Sequence, residues 1–239
     1  MSDLKVDGII ASTGTNTNLT LQGKGTGKVA IGDGALLFPD ADGSADQIIS
    51  TNASGVLSFV TPAAGGAWNI IGTAVASSSS SLTITGLSST YDTYAIAVQD
   101  VVPATDSVYG RLRFGDSGGV DSGGSDYSYS NFDMGHSGGT AQTNYASTGA
   151  DHIRLNNDNI GNQAGEGLGG MYFLHRPGDG TSHPFITGQS VQIDDGTRVR
   201  GSLQYGKRDA VITLTQVYFD VSSGNIATGR LTVWGIAHA

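Results

Sequence analysis

Short runs in which every second residue is hydrophobic recur along most of this chain. In the stretch 18–60 the alternating apolar positions are Leu19, Leu21, Val29, Ile31, Leu36, Phe38, Ile48, Leu57 and Phe59. Such alternation is typical of half-buried strands, because successive side chains of a strand point to opposite faces. Between these runs lie turns rich in Gly, Asp and Asn. The pattern predicts four to six very short strands joined by tight turns.

The same period continues, in longer runs, from Trp68 to the end of the chain. It predicts about ten strands, with Tyr94, Ile96 and Val98 sharing one face of a strand and small residues on the other face. Stretches 135–149 and 156–167 are polar and have little periodicity, so we expect surface loops there. Many short strands separated by loops predict a two-sheet β-sandwich of jelly-roll type.

The two patterns divide the chain into three parts. Residues 1–60 bury too little apolar surface to fold alone, so we expect a short, intertwined β stem completed by further copies of the same chain. Residues 61–67 (TPAAGGA) are small and uncharged, and they read as a linker. Residues 68–239 form the predicted β-sandwich head.

The composition supports an all-β fold and narrows the range of partners. Glutamate occurs only at Glu166 and 37 of the 239 residues are glycine, which leaves little material for helix surfaces. A formal net charge of −9 argues against nucleic-acid binding, which needs clustered basic residues. There is no cysteine for disulfides or thiolate metal sites. No signal peptide or membrane-spanning run is expected from the pattern.

Two glycine-rich motifs resemble catalytic loops but lack the residues that the chemistry requires. Residues 115–119 (GDSGG) match the nucleophile motif of trypsin-like proteases, yet the first histidine is His136, and in that family the base precedes the serine. Residues 23–28 (GKGTGK) suggest a phosphate loop, but Val29 stands where Ser or Thr is needed and the following segment is strand-like. Both motifs favour turns, and we expect no enzyme and no cofactor.

Acidic and aromatic residues provide the remaining candidate sites. Asp40, Asp42 and Asp46 alternate as in a calcium loop, but the glycine and the twelfth-position acid of that loop are misplaced, so an Asp-capped turn is favoured and calcium is a weak alternative. The five histidines show no metal-ligand spacing. Glycoside cleavage needs a pair of carboxylates, and the chain has many aspartates, so a glycoside hydrolase stays an open alternative. Tyr127, Tyr129 and Asn131 share one predicted strand face and are candidate receptor contacts.

Three segments resemble bacteriophage proteins. Residues 23–60 are similar to a repeat found in the stems of phage tail fibres, with a GTGKV strand, an LxFP edge, a DGS turn and a GxLxF strand. Residues 84–119 and 230–237 (RLTVWGIA) look like parts of a domain of phage tail or structural proteins. The resemblance implies a homotrimer that is made in the bacterial cytoplasm and assembled into the virion.

The resemblance implies three alternative functions. The leading expectation is a short tail fibre whose stem docks on the tail or baseplate and whose head binds the host surface, with glycan as the expected ligand. A capsid decoration protein or head fibre is the second. A tailspike that depolymerises polysaccharide is the third. In each case the partners are other virion proteins, and neither nucleic acid nor membrane is expected.

Overall fold

The protein is all-β. The computed structural model describes residues 30–31, 36–39, 43–52, 54, 56–61, 66–135, 142–156 and 159–237, and within these ranges the chain forms strands and no helix. The chain divides into two compact units, Met1–Ala64 and Gly65–Ala239. The predicted linker 61–67 includes this division, although residues 62–65 lie outside the described part.

Two small antiparallel sheets are described in the first unit. Strand β1 (Ala30–Ile31) pairs with β2 (Leu36–Leu37), and β3 (Ile48–Thr51) pairs with β4 (Leu57–Val60). The β3–β4 turn is closed by the Asn52 side chain, whose Oδ1 accepts hydrogen bonds from the backbone N–H groups of Ser54 (2.9 Å) and Val56 (3.2 Å). Ile48 and Ile49 on β3 are exposed.

The second unit contains thirteen strands in its described residues. These are β5 (Trp68–Val75), β6 (Leu82–Thr85), β7 (Thr93–Pro103), β8 (Gly110–Asp116), β9 (Gly119–Val120), β10 (Tyr127–Gly135), β11 (Gln142–Ala150), β12 (Ile153–Arg154), β13 (Gly167–His175), β14 (Phe185–Ile193), β15 (Val199–Arg208), β16 (Gln216–Val221) and β17 (Ile226–Ile236). Strands β5–β8, β10 and β12–β17 correspond to the predicted runs, with differences given below.

These strands form two large antiparallel sheets. One has eight strands in the order β11-β10-β15-β14-β13-β7-β17-β5, and the other has five strands, β12-β8-β16-β6 with β9 paired to β8. Apolar side chains of both sheets form one buried core, including Ile96 and Tyr94 from the larger sheet and Leu112 and Phe114 from the smaller. The arrangement is therefore β-sandwich-like, with the core between the two sheets.

Close approach between the sheets depends on glycine at two positions of the larger one. A Cβ added to Gly206 on β15 would lie 2.8 Å from Cδ1 of Ile153 on β12, and one on Gly72 of β5 would lie 3.2 Å from Cγ2 of Ile84 on β6. Atoms in ordinary contact are about 3.5–4.0 Å apart. These glycines allow the isoleucines of the smaller sheet to pack directly onto the backbone of the larger one.

Part of the inner face of the larger sheet is polar. Along β10, β15 and β14 the buried inward residues include six with polar side chains: Asn131, Asp133, Ser202, Gln204, Ser190 and Gln192. Gln204 Nε2 donates to Ser190 Oγ (3.1 Å), and Ser190 Oγ donates to the backbone oxygen of Leu155 (2.9 Å). The side-chain oxygens of Asn131 and Gln204 and both amide atoms of Gln192 have no hydrogen-bond partner. The apolar core is therefore concentrated under β7, β13 and β17.

Two predictions about strands need correction. The stretch 135–149 was expected to be a loop, but β11 occupies Gln142–Ala150 and pairs with β10 as an edge strand, where a polar, non-periodic sequence is tolerated. Conversely, residues 211–215 form no strand although they belong to an apolar run.

Candidate functional site

The three residues predicted as receptor contacts lie on the inner face of β10. They share one face, as predicted, but Tyr127 is 0 % exposed and Asn131 is 1 % exposed. The Tyr127 hydroxyl accepts a hydrogen bond from the backbone N–H of Phe114 (2.8 Å), so it serves the core. Tyr127 and Asn131 therefore cannot contact a receptor in the intact fold. Tyr129 is half-buried and belongs to a cluster of side chains at the edge of the sandwich.

This cluster, which we call the Arg154 cluster, consists of Tyr109, Tyr129, Tyr145, His152 and Arg154. The guanidinium carbon of Arg154 lies 4.0 Å from the ring centre of Tyr109 and 4.5 Å from that of Tyr145. The His152 ring is nearly parallel to the rings of Tyr109 (5.7 Å, 25°) and Tyr129 (6.3 Å, 26°). Each contact of a guanidinium with a tyrosine ring contributes about 0.5–1 kcal/mol at exposed sites. Together, the guanidinium contacts and the ring stacking hold the five side chains against one another.

Four chain segments bring the cluster together. Strand β12 places Arg154 opposite Arg111 of β8, and the side chain of Asn131 holds β12 from the other sheet by donating to the backbone oxygen of Arg154 (2.6 Å). Arg154 Nε donates to the backbone oxygen of Asn156 (2.7 Å). Tyr145 lies on β11, opposite Asn131 in the sheet register. The buried asparagine therefore positions the cluster instead of contacting a ligand.

A chain of ion pairs supports the cluster from the smaller sheet. Arg111 Nη2 lies 2.6 Å from Asp220 Oδ2, and Arg113 joins Asp220 (3.0 Å) to Asp151 (3.0 Å). Asp151 Oδ1 then lies 2.6 Å from Nδ1 of His152. Arg113 points away from the core, as its alternation with the buried Leu112 and Phe114 requires, and it is nevertheless buried. These partners and the Tyr218 ring, 5.8 Å away, cover it.

The ion pairs set the protonation states at the cluster. Burial and the positive charges of Arg113 and Arg111 lower the pKa of His152, against the opposing effect of its hydrogen bond to Asp151. Burial raises the pKa of Asp151, but the hydrogen bonds from Arg113 and His152 lower it by more than burial raises it. The net shift of the pKa is therefore downward. At neutral pH the site therefore combines an ionised aspartate with a neutral imidazole.

The cluster combines flat aromatic surface with fixed hydrogen-bond donors. Tyr145 is 38 % exposed, whereas Tyr109, Tyr129 and His152 are half-buried. Aromatic side chains with a polar group offer apolar area and hydrogen bonding together, and a guanidinium donates to hydroxyl, carboxylate or phosphate oxygens. This combination suits a ligand with both an apolar face and hydroxyl or acidic groups, as a sugar has.

Sequence reasoning missed four members of the cluster. Tyr109, Tyr145, His152 and Arg154 lie in three separate segments, and Tyr145 lies in a stretch predicted to be a loop. The one pattern in the sequence that involves these residues is the alternating segment HIRL, residues 152–155. It predicts a short strand but indicates no function. Proximity depends on the pairing of β12 with β8 and of β11 with β10, which one sequence does not reveal.

The other sequence motifs are turns where the structure describes them. In residues 115–119, β8 and β9 form a tight hairpin in which Asp116 Oδ1 accepts from the N–H of Gly118 (2.6 Å) and Gly119 has φ +119°. Asp46 is exposed in a turn, whereas Asp40 and Asp42, like residues 23–28, lie outside the described residues. Among the described residues no group of three His, Asp or Glu side chains is placed to hold a metal ion.

The comparisons with known proteins give no match. No family model, no curated protein and no solved structure is similar to this chain. No helix in the described part is long and apolar enough to cross a membrane.

Proposed function

We propose that this chain is a structural protein of a bacteriophage particle, a short tail fibre whose N-terminal stem docks on the tail and whose head binds the host surface. The resemblance of residues 23–60, 84–119 and 230–237 to phage proteins supports this proposal. So does the division into a unit of short hairpins with exposed isoleucines and a second unit with its own core.

The finer architecture that we propose is a homotrimeric stem followed by a jelly-roll-like head. In the second unit the chain passes repeatedly between the sheets: β5, β7, β10, β13 and β17 lie in the larger sheet, and β6, β8, β12 and β16 lie in the smaller. Alternation between two sheets is characteristic of jelly rolls, which supports this interpretation. Three copies of residues 1–60 would bury apolar side chains, such as Ile48 and Ile49, that one copy exposes.

The Arg154 cluster is the observation that supports host attachment. It offers aromatic surface and a guanidinium held by two tyrosine rings, close to Asp151 and to the neutral His152 that is hydrogen-bonded to it. We propose that it binds a surface glycan of the host, with the sugar ring against Tyr145 and its hydroxyl or acidic oxygens on Arg154. Preorganised side chains reduce the entropy lost on binding.

Glycan binding is testable with polysaccharide extracted from the cell surface of the host. We expect Arg154→Ala and Tyr145→Ala to weaken binding of the full chain at least tenfold in calorimetry or surface plasmon resonance, because each removes a direct contact. Arg176→Ala is the matched control, since Arg176 is an exposed arginine outside the cluster. Binding that stays unchanged in both cluster variants would refute the site.

Location on the particle separates the alternatives. Electron microscopy of phage particles with an antibody against this chain should show label at the tail. Label confined to the capsid would favour a decoration protein or head fibre and contradict the tail fibre.

A tailspike is tested separately. Incubation of the protein with host polysaccharide should leave the length of the polysaccharide chains unchanged, and shortened polysaccharide chains would instead indicate a tailspike.

A further inference from the structure

The outer face of the eight-stranded sheet, the one turned away from the core, is unusually apolar. We call it the outer face, and its large apolar residues are Trp68, Ile70, Val75, Phe132, Met134, Met171, Phe173, Phe185, Val191, Val199, Leu203, Tyr205, Trp234 and Ile236. Among the described residues of the second unit, every strongly exposed large apolar side chain lies here except Tyr145 and Val211. Ile70 is 65 % exposed and Tyr205 is 51 % exposed.

The polarity of the sheet is inverted along β10, β15 and β14. On these strands most inward residues are polar, Tyr127, Tyr129 and Ile186 excepted, and some amide atoms of Asn131, Gln192 and Gln204 have no hydrogen-bond partner. The outward residues of the same strands include Phe132, Leu203 and Phe185. A sheet with one face in water normally shows the opposite arrangement, apolar inside and polar outside. The inversion indicates that the outer face is itself a buried surface in the assembled protein.

Charge on the outer face fits a second copy of the same chain. The chain carries a net charge of −9, yet the charged side chains on or beside this face among the described strand residues are few: Lys207, Arg230 and Asp100. The exposed carboxylate of Asp100 on β7 lies 3.7 Å from Nη2 of Arg230 and offsets its charge. Two copies can therefore approach through this face with little repulsion. Interfaces between identical subunits are also more apolar than transient ones.

The area and shape of the outer face are sufficient for a stable interface. Eight strands about 4.8 Å apart, each about nine residues long at about 3.3 Å per residue, present about 1,000 Å². A standard stable interface needs about 800 Å² per partner. The face also holds a groove of about 380 Å³ beside Met171, Val191 and Leu203, where Gly169 and Gly201 leave room for a side chain of a facing copy.

From these observations we infer that the outer face of the eight-stranded sheet is a self-association surface that binds a second copy of this chain. The inference rests on the proposed homo-oligomer but adds a surface in the head, separate from the stem of residues 1–60. It does not depend on the location of the protein in a virion.

Single cysteines in the full chain test this inference, because the sequence contains no cysteine. Gln189→Cys places a thiol near the middle of the outer face, on β14, and Val211→Cys places one on an exposed segment outside it. We expect the thiol at position 189 to react with a maleimide at least tenfold more slowly than the thiol at 211. A short bis-maleimide should link two chains through position 189 and not through position 211.

Charge substitutions give the second measurement, read at the thiol so that association through the stem does not mask it. In the full chain carrying Gln189→Cys, Val191→Glu should raise the maleimide labelling rate of that thiol at least tenfold, and the matched Val211→Glu should leave it unchanged. Equal labelling rates at positions 189 and 211, or protection at 189 without cross-links between chains, would overturn the inference. So would a labelling rate at 189 unaffected by Val191→Glu in a variant with wild-type circular dichroism. Each of these results leaves the tail-fibre proposal intact, since that proposal is decided by particle labelling.

Discussion

At the residue scale, Asp194 shows how one side chain determines a turn. Its Oδ1 accepts hydrogen bonds from the backbone N–H groups of Gly196 and Arg198 (both 2.9 Å), which closes the connection between β14 and β15. Its Oδ2 accepts from Nε of Arg200 (2.7 Å). Burial raises the pKa of Asp194, but the hydrogen bonds from Arg200 and Arg198 outweigh it and lower the pKa from 3.8 to about 2.

This shift predicts a pH dependence of the free energy of unfolding. Because the folded pKa lies below the unfolded one, the contribution of Asp194 is fully present above pH 4 and is lost as the pH falls towards 2. It amounts to about 2 kcal/mol at about 1.4 kcal/mol per pKa unit. In urea titrations, Asp194→Asn should be less stable than wild type at pH 6 and differ less at pH 2.

The control for Asp194 is Asp106→Asn, which changes an exposed carboxylate. This variant should follow the wild-type pH profile within about 0.5 kcal/mol, as expected for surface substitutions. A profile for Asp194→Asn that runs parallel to that of wild type from pH 6 to pH 2 would show that the carboxylate does not carry the predicted stabilisation.

At the scale of elements, Tyr127 joins the two sheets at a gap in strand pairing. Strand β8 is paired on this edge with β12 at Arg111 and Leu112 and with β9 at Gly115, which leaves Phe114 between them. The Tyr127 hydroxyl, from β10 of the other sheet, accepts from the N–H of Phe114 and lies 3.0 Å from its backbone oxygen. Burial raises the pKa of this hydroxyl, so it stays protonated.

We therefore expect Tyr127→Phe to lower the free energy of unfolding by about 1–3 kcal/mol, because it leaves a buried N–H without a partner. Tyr145→Phe, which removes a hydroxyl from an exposed ring outside the outer face, is the matched control and should change it by less than about 0.5 kcal/mol. Chemical denaturation of both variants checks the difference. Equal stability of the two variants would mean that the hydroxyl contributes nothing to the junction of the sheets.

Elements were predictable from the sequence where one face is apolar and the other polar. Leu112 and Phe114 alternate with two arginines along β8 and are buried. Strand β13, whose sequence is apolar on both faces, lies between β14 and β7 as a central strand. Strand β11 was missed because an edge strand needs only one pairing partner and no apolar face. The alternation did not reveal whether the apolar or the polar face of β10 would point inward.

At the scale of the whole molecule, the core of the second unit is self-contained. All the buried apolar residues of the described core lie between Ala76 and Val233. We therefore expect residues 66–239, expressed alone, to fold with a melting temperature within a few degrees of the corresponding transition of the full chain. Circular dichroism and calorimetry check this. An unfolded fragment would show that the first unit is needed for the head to fold.

The sequence alone determined the fold class and the positions of most strands. A period of two, with glycine and aspartate at the turns, permits strands and little else. The acidic chain, poor in basic residues, also predicts no nucleic-acid surface, and that stays a prediction. These properties depend on neighbours along the chain, so no tertiary information is required.

Tertiary structure decided which surfaces face each other. It placed Tyr127 and Asn131 in the interior, assembled the Arg154 cluster from separate segments, and left Trp68 and Ile70 on an apolar outer face. Strand alternation defines two faces but does not say which one another sheet will cover, because that choice depends on the free energy of pairing strands far apart in sequence.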